Sequence, residues 1–522
     1  MKMDSGDILI VGGGTAGWLT AAFLAKHLGG AGGIRITLIE SSEIPTIGVG
    51  EGTFPTIAKT LSTLGIDEAA FMRGSGAAFK QGIKFVDWAQ APVAGHSHYF
   101  HPFALPRSHE GLDLLPHWLS GEAGPVSFAD AVTLQERVCD AGRAPKRTSD
   151  AAFRGPMNYA YHLDAARFGT FLSSVAKSLG VNHLVGTVDD VQLDEQGAIA
   201  AVVSREHGPL RAGLYIDCTG FQSRLLGRAL GVPFKSRNDV LFVDRAVAVQ
   251  VPYEDEHAPI PPYTISTAHE AGWTWDIGLR ERRGVGYVYS SNHTEETRAE
   301  SVLRNYVGPA ARELSVRHLK LQVGWRERHW VNNCVAVGLS GGFLEPLEST
   351  GIILIEAAAH MIANFYQRSG EFEPAARQFN SLMTKRYERI VDFIKMHYYL
   401  TQRTDTAFWR DNANPSSAPD SLLAHLEMWR HRPPVALDFV MDHESFAVAN
   451  YQFVLYGMGF KSLPGRRDAW QAALARQEFA RVRDAAQRAV AALPAHRELL
   501  ERVYQAGFSF SDSSRLPGAG RQ

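Results

Sequence analysis

The chain has 522 residues and a mass of 57.4 kDa, with 45% hydrophobic and 21% charged residues. This is the make-up of a globular enzyme large enough for more than one structural unit. A formal net charge of −2 speaks against a nucleic-acid or membrane-surface partner. Cys139, Cys218 and Cys334 form no CxxC pair, which speaks against a disulfide framework and a zinc–cysteine centre. The start MKMDSGDILIVGGG lacks the form of a signal peptide, and no apolar run reaches the ~18 residues of a membrane span. A reducing cytoplasm is the expected compartment. Ten tryptophans and 27 phenylalanines predict a large aromatic core, with some rings available to line a pocket for an aromatic substrate.

Residues 7–14 read as a buried strand, 15–28 as a helix, Gly29–Gly33 as a turn, and 34–39 as a second strand ending in Glu40. This is the opening of a βαβ unit. The segment 53–71 is predicted helical, and 79–88 a strand or strand pair. Residues 91–155 are rich in Pro, Gly and His with short amphipathic pieces. A helix over 164–179 is opened by the cap residue Asp164. Short strands follow over 181–216, ending in Leu214-Tyr215-Ile216 and then DCTGF, and further strands over 242–290. A buried strand at 334–339 runs through SGGFLEPLESTG into an apolar helix over 351–366. From about 376 the pattern is helical, with long surface helices over 467–493. The tail SRLPGAGRQ is expected to be disordered. These elements predict an α/β fold. A nucleotide-binding core with interleaved substrate-side sheet and loops spans 1–375, and a mainly helical region spans 376–522 and covers the substrate pocket.

Gly12-Gly13-Gly14-Thr15-Ala16-Gly17 holds a GxGxxG motif between a strand and a helix, and Glu40 follows Gly12 by 28 residues. Gly12 permits the tight turn, Gly14 the approach of a pyrophosphate, and Gly17 close helix–strand packing. Thr15 and Ala16 open the helix whose free N–H groups meet the phosphates. Glu40 can accept hydrogen bonds from a ribose and would repel a 2′-phosphate. Two later segments favour FAD over NAD. One is Asp217-Cys218-Thr219-Gly220 after an apolar strand. The other is GLSGGFLEPLESTG from Gly338, which places glycines ahead of a helix N-terminus. Simple glycine turns are the competing reading of both. No second GxGxxG has its strand–helix context, so reduced flavin is expected from elsewhere.

The chain resembles the flavin-dependent tryptophan and indole halogenases. The resemblance rests on GGGTAGW, Gly48-Val49-Gly50-Glu51, AFKQGIKFVDW with Lys80, FHPF at 100–103, GWTWDIGL with Trp273 and Trp275, GFLEPLESTG at 342–351 and HYYLTQRTDTAFWR at 397–410. It runs from residue 7 to about 460. It implies a halogenase-type FAD core and a separate NAD(P)H-dependent flavin reductase. Dioxygen and chloride or bromide would then give hypohalous acid beside the flavin. That oxidant would pass through a tunnel to Lys80, with Glu348 as the partner carboxylate. By the same resemblance Gly48, Gly50, Glu51 and Gly351 lie at the flavin, and Ser349, Thr350 and Gly351 at the halide. His101 and Phe103 would face the substrate, and Trp273 and Trp275 would separate flavin from pocket. A monomer or homodimer is expected.

The chemistry of these residue types supports the assignment. A buried lysine can polarise hypohalous acid as an ammonium or form a haloamine as an amine; burial favours one form and a nearby carboxylate the other. Glu348 can orient the oxidant or take the proton of a cationic ring, with Glu345 as a rival three residues earlier. Ser349 or Thr350 could equally act as a helix cap. His96, His98 and His109 crowd one loop at irregular spacing, and no metal site is assigned to them.

Two departures bear on the expectation. Gly278 stands where the family's WxWxIP motif has proline, which should loosen the backbone there. In the segment 440–460, Glu444, Phe446 and Tyr451 are candidate substrate contacts without a residue-by-residue match, so indole or a larger indole compound is as fitting as tryptophan. A flavin monooxygenase acting on an aromatic without halide is the competing enzyme. A non-catalytic flavin binder is the competing non-enzyme.

Overall fold

The structure, a computed structural model, describes residues 6–29, 33–43, 50–92, 95–108, 111–439, 445–465 and 469–508. The run Ile8–Val11 is buried on both sides, as a strand sandwiched between layers must be. It forms the middle of a six-stranded sheet ordered Trp330–Val331, Cys334–Ala336, Leu214–Asp217, Ile8–Val11, Ile36–Glu40, Asn182–Val185. Pairings in this sheet are parallel except at the Trp330 edge. Helix Thr15–Leu28 packs on it, and Ala165–Ser178 and Thr350–Phe365 pack against that helix. This confirms the Rossmann-type α/β core.

A second, seven-stranded sheet runs Arg317–Lys320, Arg245–Pro252, Arg282–Tyr289, Gly272–Gly278, Thr264–Ala268, Gly82–Val86, His98–Pro102. It is antiparallel except where Thr264–Ala268 meets Gly82–Val86. A small sheet pairs Glu51–Gly52 and Ala78–Lys80 to Ala160–Leu163. Lys80 therefore ends a strand of one sheet, and Gly82 begins a strand of another. One continuous apolar core joins Ile8 and Leu38 of the nucleotide sheet, Phe85 and Trp273 of the large sheet, and Phe393, Trp409 and Phe453 of the C-terminal helices.

The structure corrects several sequence expectations. The helix foreseen over 53–71 is two helices, Thr56–Thr63 and Glu68–Ser75, because Gly65 turns the chain at φ 76°. The strand at 334–339 is shorter, Cys334–Ala336, since Gly338 takes φ 72° and opens a turn. Asp164 caps Ala165–Ser178 as read, accepting the N–H groups of Ala166 and Arg167. The tail SRLPGAGRQ lies outside the described residues. No helix among the described residues is long and apolar enough to cross a membrane.

Candidate active site

The nucleotide cradle forms where the motif places it. Gly12 sits at φ 113°, and a side chain there would fall 2.2 Å from the Cys218 carbonyl oxygen. A Cβ on Gly17 would lie 1.8 Å from the Gly12 oxygen, and one on Gly13 would collide with the Glu40 carboxylate. Glu40 is thus laid across the glycine turn, with His183 Nε2 at 2.9 Å. Gly14 borders open space, and its helix carries no side-chain cap, so the first-turn N–H groups are available. Gly338 closes on the same turn: a Cβ there would come 2.7 Å from Ala16 Cβ. Two glycine segments that are far apart in sequence meet here. The arrangement fits the pyrophosphate of a dinucleotide.

Asp217, at the end of strand Leu214–Asp217, has hydrogen bonds within its own chain. Its carboxylate accepts from the Thr219 N–H and hydroxyl and from the Leu225 and Leu226 N–H groups. It braces the turn Arg224–Ala229, and its side chain is committed within the chain. Gly220 follows at φ 65°. Gly50 takes φ 97°. Burial and the charge of Asp164 raise Glu51 to about 7. Gly48 lies outside the described residues.

The second centre is built on the turn before helix Thr350–Phe365. Glu348 and Ser349 both adopt left-handed backbone, at φ 63° and 55°. For non-glycine residues this costs on the order of 1–3 kcal/mol each, and such strain concentrates at functional sites. Ser349 stands at the N-cap position but does not cap. Its Oγ accepts a hydrogen bond of 2.9 Å from Lys80 Nζ instead. The bare glycine at 52 makes this possible, since a Cβ there would sit 2.6 Å from Ser349 Oγ and 2.9 Å from Lys80 Nζ. Thr350 is buried, while Gly351 is exposed with open space around it, on a helix end whose N–H groups have no side-chain partner.

Glu348 is fully buried, and its Oε1 receives His101 Nδ1 at 2.8 Å and His397 Nε2 at 3.0 Å. Its Oε2 has no partner among the described residues. Burial alone would raise this carboxyl, but the two imidazoles outweigh it and hold it at about 2. Lys80 is pushed down to about 8 by burial, against the pull of Glu348. His397 Nδ1 also meets the Phe393 carbonyl at 2.9 Å, so both of its nitrogens face acceptors. His101 Nε2 receives Asn450 Nδ2 at 2.9 Å.

Aromatic rings surround this polar group. Lys80 Nζ lies 5.4 Å from the Phe103 ring centre. Phe103 continues to Phe54 at 5.9 Å, Phe446 at a further 5.4 Å, and Phe393, stacked on Phe446 at 3.8 Å. Tyr451 is a layer further out, against Phe393, Phe439 and Trp429. Glu444 lies outside the described residues. Trp273 and Trp275 are buried 6.5 Å apart on strand Gly272–Gly278. Gly278 does not loosen that strand: it pairs with Arg283 in regular register, and Ile260 fills the space beside it.

The structure thus brings Lys80, Glu348, Ser349, His101, Phe103 and Phe446 together. Sequence reading gave no role to His397, Asn450 or Gly52, although His397 opens the HYYLTQRTDTAFWR segment. The histidine loop also separates: His96 binds Asp87, and His98 approaches Glu136 and Asp140, where Lys84 already holds Asp140. His109 lies outside the described residues.

Comparison with known proteins agrees with this geometry. The tryptophan halogenase family profile matches residues 7–475. The tryptophan 6-halogenase SttH of Streptomyces toxytricini is 38% identical, over 95% of this chain and 98% of that protein. The solved tryptophan halogenase of Shewanella frigidimarina superposes with a TM-score of 0.92 at 42% identity, covering 96% of this chain and 98% of that one. BrvH, a flavin-dependent halogenase from Brevundimonas, gives 0.85 at 32% identity, covering 95% and 100%. The chain belongs to the tryptophan halogenase family and is an enzyme of its flavin-dependent, two-component class.

Proposed function

We propose that this enzyme uses reduced FAD from a separate reductase, dioxygen, and chloride or bromide to halogenate an indole-like aromatic at Lys80 and Glu348. The reading is supported by one observation: a buried lysine and a buried carboxylate, one of whose oxygens has no partner among the described residues, are set among aromatic rings. When bound, the reduced flavin would activate dioxygen, the oxidant that turns halide into hypohalous acid. Gly12, Gly14, Thr15, Ala16, Gly17 and Glu40 would hold its nucleotide end, Gly50, Glu51, Gly338 and Gly351 its ring end, and Asp217 and Gly220 the stretch between. Thr350 and Gly351 N–H groups suit the halide.

Lys80 acts as the ammonium. With its pKa near 8, it carries its proton at neutral pH. It donates a hydrogen bond to the oxygen of hypohalous acid, leaving the halogen electron-poor. The ring carbon attacks the halogen, the oxygen–halogen bond breaks, and the departing hydroxide takes the Lys80 proton as water. The ring proton passes to Glu348. A carboxylate near 2 is a weak base, but the proton of a halogenated ring cation is far more acidic. Return of that proton to Lys80 closes the cycle. His101 and His397 keep Glu348 anionic and fixed, and Phe103 and Phe446 exclude water from the oxidant.

The test supplies reduced FAD, oxygen and an equal mixture of chloride and bromide, and screens indole, tryptophan and phenols by mass spectrometry. A product with a halogen isotope pattern is expected from an indole. Its absence across a broad aromatic panel would sink the reading.

A further inference from the structure

Glu345 lies three residues before Glu348 and is equally buried, yet it serves a different group. Trp273 Nε1 donates to the Tyr398 hydroxyl at 2.9 Å, and that hydroxyl donates to Glu345 Oε2 at 2.8 Å. The same carboxyl oxygen lies 3.5 Å from the indole nitrogen. All three side chains are buried. Trp88 packs on both partners, at 6.0 Å from Trp273 and 5.1 Å from Tyr398.

Among the other buried tryptophans, Trp429 donates directly to the Asp438 carboxylate at 2.9 Å, Trp275 Nε1 has no partner among the described residues, and three satisfy their nitrogen more simply. Trp88, Trp330 and Trp409 each donate to a backbone carbonyl, of Ser266, Asn332 and His269. Trp273 instead uses a tyrosine backed by a carboxyl taken wholly out of water, which is costly unless it serves a purpose. Burial raises Glu345 to about 8, so it is a neutral acid at neutral pH and accepts through Oε2. Lys395, hydrogen-bonded to Asn412 Oδ1 at 2.8 Å, exerts a cationic pull that offsets part of that rise. The indole nitrogen is the one polar handle on the Trp273 ring, so a bond at that atom resists rotation of the whole ring.

We propose that Glu345, acting through Tyr398, is the positioning residue that clamps the Trp273 indole as the wall between flavin and substrate pocket. The wall itself rests on the halogenase reading; the clamp stands on the hydrogen bonds. With the clamp in place, hypohalous acid reaches Lys80 before it reaches solvent.

FAD-loaded protein labelled with 15N-indole tryptophan tests the clamp, the Trp273 signal being assigned by Trp273→Phe. Exchange of the Trp273 Nε1–H with solvent is expected to be slow in the wild type and in Glu345→Gln, which keeps an acceptor oxygen. In the Glu345→Leu/Tyr398→Phe double variant it should quicken by roughly tenfold, the worth of a lost hydrogen bond. In turnover, the double variant should oxidise flavin at the wild-type rate but release more hypohalous acid to a dissolved dye trap per halogenated product. Glu345→Gln should keep the wild-type partition. Equal protection in all variants, or faster exchange with unchanged partition, overturns the proposal. If the double variant does not fold, Glu345→Leu alone is read by the same two criteria. If the wild type yields neither halogenated product nor trapped oxidant, the halogenase reading fails, and the exchange rates alone decide the clamp.

Discussion

Two lysine–glutamate regions face each other across one short turn, and their environments drive them apart. On one side, Lys80 meets Ser349, and Glu348 is held near 2 by His101 and His397 against the effect of burial. On the other, Glu345 has a tyrosine and an indole for neighbours and is raised to about 8. Both carboxyls are buried, so burial alone does not decide charge; the donors supplied to each one do. Divergent pKa values on neighbouring acids separate a proton acceptor from a neutral hydrogen-bonding prop. Lys395 is as buried as Lys80 and is lowered further, to about 7, yet it faces Asn412 and the Phe242 ring rather than the substrate-side phenylalanines.

That contrast is most exposed to the two lysines. Lys80→Ala should abolish halogenation while FAD binding, followed by flavin fluorescence, stays at the wild-type level. Lys395→Met should retain halogenation within a few-fold. Full activity in the Lys80 variant would break the assignment.

A smaller effect comes from pH. Because Lys80 is lowered from 10.5 to about 8, it is protonated below that pH and neutral above it. The halogenation rate should therefore fall above about pH 8, by up to roughly tenfold per unit. A rate that rises through the same window would mean that the neutral amine does the work, as a haloamine former.

The smallest effect lies in stability. Glu345, raised from 4.5 to about 8, keeps its proton in the folded state over a window in which the unfolded chain has lost it. Its contribution is full below about 4.5 and is lost as pH rises through 8. Glu348, lowered from 4.5 to about 2, has the opposite sign: its contribution is present above 4.5 and is lost as pH falls through 2. Replacing Glu345 by Gln should flatten the decline of Tm between about pH 5 and 8. An unchanged slope would mean that Glu345 does not hold a proton in the native state.

Much of the nucleotide half was legible because its signals are local. Gly12 and Gly17 are dictated by a turn and by close helix packing, and Asp164 by the helix it caps. The 53–71 helix was misjudged because apolar periodicity continues across Gly65, whose left-handed backbone breaks it. The bonds of Asp217 to N–H groups of its own chain were not legible, because an acid at a strand end looks the same with or without them. The cluster around Lys80 and Glu348 was legible only in part. Lys80, Glu348, His101 and Phe103 stand in recognisable motifs. Ser349 was taken for a halide contact or a cap, and its bond to Lys80 depends on a three-dimensional approach past Gly52. His397 and Asn450 come from helices hundreds of residues from Lys80, and only folding sets them against Glu348 and His101.

The central claim is that the two glutamates do different work, and a side-by-side assay of Glu348→Gln and Glu345→Gln tests it most directly. Halogenated product per unit time is measured with reduced FAD, oxygen and halide supplied equally. The account predicts a loss of roughly 10²–10⁴-fold for Glu348→Gln, the usual worth of a positioned acid or base, and a change within a few-fold for Glu345→Gln. Equal losses in the two variants, or the larger loss in Glu345→Gln, would contradict it.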